Sequence, residues 1–346
     1  MSASITGFRR GRFEGPFGQY ALRLAVLAAV IVYFFLTVPG FRVGGLTATI
    51  DGFALLGLVS LGIGVTMLAG ELDMSVASVA ACSGIVAVLL APTFGLPVAV
   101  VAATLLSAGF GLAQGWLIGA LGLNSLVLTI GSSIALSGLA YIATGGTAIL
   151  VPDFSITDIL LWRLGPFRIG TFVTILVFVF VACFLRYTRY GREIYAVGGG
   201  RREAASSGVP LRRSLSISFS ISAGCAGLAG AMAALRSGSG SPNAFPELLL
   251  AAAAAALVGG ISIYGGRGTV WNIILGVAII TVVQAGLVAQ RAQSYEAQAI
   301  IGVLLVGIVG LELISARISG RRRLMKQQST EKEDKSMGSM KGAANG

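Results

Sequence analysis

The chain is 346 residues long, 55% hydrophobic and only 11% charged, with a mean hydropathy of +0.87, which excludes a soluble globular domain and makes lipid its main solvent. The formal charge of +11 is carried by arginines beside apolar runs, without the interleaved aromatics that stack bases, so nucleic acid is excluded as a partner. Histidine is absent, and Cys82, Cys183 and Cys225 are scattered through apolar stretches, which removes the usual metal ligands, a disulfide framework and most general-base enzyme chemistry.

Arg9, Arg10, Arg12 and Arg23 lead into an apolar run from Leu24 to Val38 that has signal-peptide character. No small-residue cleavage site follows and further spans begin at once, so the run reads as an uncleaved first helix entered from the cytosol, behind a cytosolic segment 1–20. Spans then fit the hydropathy at 21–38, 49–69, 76–91, 97–121, 126–144, 171–187, 214–235, 248–264, 269–289 and 297–315, each near the ~20 apolar residues that cross about 30 Å of hydrocarbon. Pro39-Gly40, Pro92, Pro97, Gly145-Gly146, Pro152, Gly165-Pro166, Pro210, Pro242 and Gly265-Gly266 punctuate the intervals between them. The pattern predicts an all-α, polytopic membrane protein of about ten helices, with one transmembrane domain over 21–315.

Alternation fixes which loops share a side. The loop after the sixth span carries Arg186, Arg189, Arg192, Arg201, Arg202, Arg212 and Arg213, and the tail carries Arg317, Arg321, Arg322, Arg323 and Lys326, so both are expected in the cytosol with both termini. The segment 145–170 on the other side balances Arg163 and Arg168 against Asp153 and Asp158. The tail 316–346 turns polar and is expected to be largely disordered.

Small residues recur every fourth position in two spans: Ala103, Ser107, Gly111, Gly115 and Gly119 in the fourth, and Ala223, Gly227 and Ala231 in the seventh. Such stripes let helix backbones approach closely, and static packing is their simplest purpose. Two breaks look related, Ala69 to Val76 after the second span and Tyr264 to Val270 after the eighth, as an internally duplicated unit would produce.

Glu71 and Asp73 are conspicuous because carboxylates are costly near hydrocarbon. They fit a proton relay, a contact with a partner or solute at the foot of a pathway, or simple N-capping of the third span by Asp73 or Ser75. Asn124, Ser125, Thr129, Ser132, Ser133 and Ser137 suit a polyol, whose hydroxyls need replacement hydrogen bonds on leaving water, and equally suit interhelical bonding. In the loop about 189–213, the core Arg201 to Pro210 reads as a short helix with good helix formers at the front and a Gly208/Pro210 stop, which needs either a docking partner or anionic membrane lipid. Gly265, Gly266, Arg267 and Gly268 lack the lysine and hydroxyl of a nucleotide-phosphate loop, so the chain does not itself hydrolyse ATP.

Four segments in order, Gly70 to Val76, Asn124 to Gly146, Gly191 to Gly199 and Gly259 to Gly268, resemble the permease subunit of bacterial ABC importers of the ribose, xylose and galactose class, over about 46–313. The resemblance implies that Arg202, Glu203, Ala204, Ala205 and Gly208 form the coupling helix docked on a cytosolic ABC ATPase that binds ATP and Mg, the chain itself holding no cofactor. It implies a periplasmic sugar-binding protein, a second permease copy or sister permease, and an inner-membrane location. Glu71, Asp73, Ser75, Asn124, Thr129 and Ser132 are then candidates for the pathway or its gate, and Gly265 to Gly268 form a family-motif loop. The chain departs from the family pattern at Ala77, Ser125 and Gly200, where Gly, Pro and Asn are usual. Related importers carry pentoses, hexoses, polyols or sugar-like signals, and more distant ones branched-chain amino acids or nucleosides. The rival from another class is a proton-driven secondary transporter working through Glu71 and Asp73.

Overall fold

The computed structural model describes residues 16–293, 295–303, 306, 307 and 310. The chain divides into a unit of residues 1–301 and a unit from 302 onward, of which the described residues are helical. Arg9, Arg10 and Arg12, much of the predicted span 297–315 and the tail 316–346 lie outside the described residues.

The first unit is helical in chain order as α1 (Pro16–Thr37), α2 (Pro39–Leu68), α3 (Val76–Phe94), α4 (Leu96–Leu121) and α5 (Ser125–Thr144). Two-residue strand β1 (Ile149–Leu150), short α6 (Asp158–Leu161) and the hairpin of β2 (Arg163–Leu164) with β3 (Phe167–Arg168) then fill the segment expected as a loop. After these come α7 (Ile169–Tyr187), α8 (Arg189–Gly199), α9 (Arg201–Ser206) and α10 (Leu211–Ser237). Strand β4 (Ser239–Gly240), antiparallel to β1, precedes α11 (Leu248–Gly259) and α12 (Val270–Ala289).

Among the described residues, 8 helices are long and apolar enough to cross a membrane: α1 to α5, α7, α10 and α12. The span expected at 248–264 is helical for only 12 residues, about 18 Å of rise, which falls short of the hydrocarbon thickness. It stops at Gly260, whose φ of 92° is open chiefly to glycine. The orphan carbonyl of Val258 at this end accepts a hydrogen bond from Arg23 Nε of α1 at 3.1 Å, so a guanidinium 6% exposed answers the negative end of a broken helix. Three expected breaks move: Pro39 opens α2 directly after a one-residue gap, Pro97 stands in the first turn of α4, and Pro92 lies inside the last turn of α3 instead of between helices.

The small-residue stripes of the fourth and seventh spans meet each other. α10 packs along α4, α3 and α2, and α12 along α2, α11 and α1. A Cβ added at Gly111 would overlap the Phe219 carbonyl oxygen, one at Gly115 that of Leu215, and one at Gly227 the Ser107 hydroxyl. Lipid tails are as apolar as the helices, so van der Waals contact at this close range, not exclusion of water, holds the pair together. Phe219, Leu215, Leu58, Leu61 and Ile63 are fully buried at this centre, while α1, α4, α5 and α7 turn Leu36, Leu105, Ile134 and Leu176 outward.

Candidate functional site

Several of the candidate residues converge where α2 ends. Gly70, with φ 78°, turns the chain out of the helix, and the Glu71 N–H donates to Thr66 O at 2.9 Å. The Glu71 carboxylate is 7% exposed and pairs with the guanidinium of Arg201, the first residue of α9. Two residues on, Asp73 is 1% exposed. Its Oδ1 accepts from the Ser75 N–H at 3.0 Å and the Ser75 hydroxyl at 2.6 Å, and its Oδ2 accepts from Ser222 Oγ of α10 at 2.8 Å. A carboxylate withdrawn from water needs such donors, and Asp73 has three.

The chain of polar contacts continues across the bundle. Ser75 Oγ lies 3.3 Å from Gln114 Oε1 of α4, and Gln114 Nε2 donates to Ser132 Oγ of α5 at 2.7 Å. Beside it Ser78 of α3 meets Ser133 at 2.7 Å and Ser137 at 3.1 Å. The hydroxyl face of α5 is therefore occupied by interhelical bonds. Thr129 is buried with Oγ1 3.5 Å from Leu72 O, and Asn124 stays apart, capping α5 through the Leu126 N–H at 2.9 Å. Ser75 does take the N-cap position of α3, without a side-chain cap bond, because its hydroxyl is turned to Asp73. Gln114 and Ser222 were not singled out from the sequence. A lone glutamine in an apolar span was the available signal for the first.

The two related breaks meet on α8. Gly266 N–H donates to Leu68 O at 3.0 Å, and a Cβ added at Gly198 would overlap that same carbonyl. Gly265 and Gly70 both press on Gly198, so three glycine backbones stack where side chains have no room. Tyr195 Oη donates to Gly268 O at 3.0 Å, and burial raises its phenol above the ordinary value. Arg267 points outward; its carbonyl accepts from the Ser262 N–H at 3.1 Å. Thr269 caps α12 reciprocally with Asn272, and Asn272 Nδ2 donates to Gly259 O at 2.8 Å, which fastens α12 to the end of α11.

Between α7 and α10 the chain forms two helices, where one short one was expected. Thr188 breaks α7 with extended backbone and caps α8 through the Gly191 N–H at 3.1 Å. α8 buries Ile194 and Val197 and holds Glu193 with its side chain 8% exposed. Burial pushes the Glu193 carboxyl up, and hydrogen bonds from Arg213 at 2.6 Å and Arg189 at 2.8 Å outweigh it, so the group ionises below its ordinary range. α9 is anchored by Ala204, 5% exposed, and by Arg201, while Arg202, Glu203, Ala205 and Gly208 are exposed. Gly200, where the resembled family has Asn, has an extended φ of 168° and an added Cβ would meet only the mobile carboxylate end of Glu203, so the backbone there accepts either residue.

The arrangement links an exposed helix to the middle of the bundle: α9 through Arg201 to Glu71, and from the same turn through Asp73 to α10 and through Ser75 and Gln114 to α4 and α5. Among the described residues no group of three or more His, Cys, Asp or Glu side chains could hold a metal. No solved structure matches the chain. It is similar to the D-allose transport system permease protein of Escherichia coli K12, 26% identical over 88% of this chain and 92% of that one. It is 29% identical to the L-arabinose ABC transporter permease protein of Azospirillum brasilense, over 91% and 94% of the two chains. It is 31% identical to the autoinducer 2 import system permease protein of Escherichia coli K12/DH10B, over 85% and 87%. The model of the family described as branched-chain amino acid transport system, permease component, matches residues 45–309. A multi-pass helical bundle of this size, matched over most of its length, belongs to that family of transport-system permeases.

Proposed function

We propose that the chain is the membrane permease of an ATP-driven ABC importer for a monosaccharide or sugar-like solute, lying in a bacterial inner membrane. The solute arrives from a periplasmic binding protein, cytosolic ATPase subunits supply ATP and Mg chemistry, and two permeases, identical or related, enclose the pathway. Support for the solute class comes from the relatives named for D-allose, L-arabinose and autoinducer 2. The family description names branched-chain amino acids, which is the second reading and enters the test as a competing solute.

The observation that carries the mechanism is the tie between α9 and Glu71. A short helix exposed on Arg202, Glu203, Ala205 and Gly208 has the shape of a docking element, and its other face is bonded into the turn that carries Asp73. ATP-driven closure of the partner subunits moves α9; the Arg201–Glu71 pair and the Asp73 to Ser222 bond pass that movement to α10, and the two permease halves alternate access. Glu71 and Asp73 each have fixed partners, which suits transmission better than a proton relay. Ala205→Trp and Gly208→Trp, on exposed positions, should reduce ATP-driven uptake by about tenfold or more while hydrolysis continues and the bundle melts normally. Normal uptake in both would remove α9 from the coupling path.

A further inference from the structure

The hairpin of β2 and β3 lies where α7 begins, so the length of α7 separates it from α8 and α9. Its register sets Arg163 opposite Arg168 and Leu164 opposite Phe167. Paired residues share a face and successive ones alternate, so one face carries both arginines and the other both apolar residues. The same alternation puts Trp162, just before β2, on the apolar face.

Two arginines set opposite each other repel, and Asp51 of α2 resolves this: its Oδ2 accepts from Arg163 Nη2 and Arg168 Nε, both at 2.9 Å. The charged face is thereby turned to the bundle. Outward stand Trp162, Leu164 and Phe167, which are 54%, 60% and 38% exposed. An antiparallel hairpin in water has the reverse order, with its polar face out and its apolar face in, and an exposed apolar patch of this kind marks a contact surface.

The inverted face is continuous with the lipid-facing surface of α7. The Phe167 ring lies 6.0 Å from that of Phe172 in the first turn of α7, beyond which Ile175, Leu176 and Val179 are exposed in turn. On the other side of the hairpin's anchor, α2 runs back from Asp51 to Pro39, and Leu46 and Val43, about one and two turns along that stretch, are exposed and apolar as well. Apolar surface therefore extends both above and below the level at which the hairpin is tied.

We propose that the apolar face of this hairpin is a membrane contact, which beds Trp162, Leu164 and Phe167 into the phospholipid layer at the level of the glycerol and upper acyl chains, in the leaflet away from α9. An indole is held well at that depth, with its ring among acyl chains and its N–H toward the polar layer. The face bears no charge, so it takes the apolar part of a phospholipid whatever its head group. Through Asp51 the seated hairpin pins α2, and through Phe172 the start of α7, at the membrane surface. A binding protein docked on the same face is the competing occupant.

The test is tryptophan fluorescence of the full-length chain in phosphatidylcholine vesicles, with Trp116→Phe and Trp271→Phe leaving Trp162 as the single indole. Its emission should fall about twofold or more with phosphatidylcholine brominated near the glycerol end of its acyl chains, less with lipid brominated near the chain ends, and little with iodide present on both sides of the membrane. The difference in quenching between the wild type and Trp162→Phe gives the same reading if the double variant does not fold. Emission that iodide quenches and brominated lipid does not overturns the proposal, and relief of that iodide quenching by added binding protein would assign the face to that partner. Strongest quenching from the chain ends overturns the interfacial placement.

Discussion

Asp73 finds Ser222 across 149 positions of sequence, and Ser75 finds Gln114 across 39. Glu71 and Asp73 stand out in the sequence because ionised groups among apolar spans are rare, yet the partners of Asp73 are neutral residues, one of them on a helix whose face only folding brings close. That is why the carboxylates were legible and the network around them was not. The same limit applied to Arg201, one of seven arginines in its loop until Glu71 selected it. If Arg201 and Glu71 act as one unit, Arg201→Gln and Glu71→Gln should each impair ATP-driven uptake, and the double variant should be little worse than either single one; additive losses would show that they act separately. The glycine stack gives a sharper stability test. Gly198→Ala puts a methyl group into the Leu68 carbonyl and should lower the melting temperature of the solubilised chain by about 5 °C or more, whereas Gly199→Ala, with open space around it, should shift it by no more than about 1 °C.

Helix existence followed from hydropathy, because about 20 apolar residues in lipid have little alternative to a helix when every backbone group must be bonded internally. Helix ends were less legible. Pro92 reads as a breaker but sits inside α3, and Pro39 fits the first turn of α2, where it forfeits no helical hydrogen bond. α8 was missed as a separate element because its sequence, with Arg189, Arg192 and Glu193 set among apolar residues and glycines, has the period of a helix lying along a surface and too little hydrophobicity for a span. The small-residue stripes of α4 and α10 were read correctly as packing faces, since each needs a partner backbone and they supply each other. At this scale Glu193 offers a pH test. Its folded ionisation lies below the value near 4.3 of an unfolded glutamate, so its contribution to stability is complete above that value and disappears as pH falls through the lower folded one. Glu193→Gln should therefore lower the melting temperature by about 2 °C at pH 7, with the gap to wild type closing below about pH 4. A gap that is constant across that range would mean the charge of Glu193 does not hold α8 against α10.

For the molecule as a whole, the helix proposed for coupling, α9, lies at one end of the bundle and a pocket lined by residues of α2, α7 and α10 at the other. α10 runs between them, from Leu211 beside α9 to Arg236 in the pocket, and Asp73 holds it midway through Ser222. On the proposed coupling, a shift of α9 reaches the far side through α10, which close small-residue contacts with α3 and α4 pack into one body. The most direct measurement of the central claim is uptake of a labelled panel of pentoses, hexoses, polyols and leucine by cells lacking this chain, before and after its restoration, under ATP depletion and separately under a protonophore with ATP held constant. The account predicts restored uptake of one sugar-like compound that stops when ATP is depleted and persists when the proton gradient is collapsed. Uptake that follows the proton gradient instead, or restored uptake of leucine alone, would contradict it.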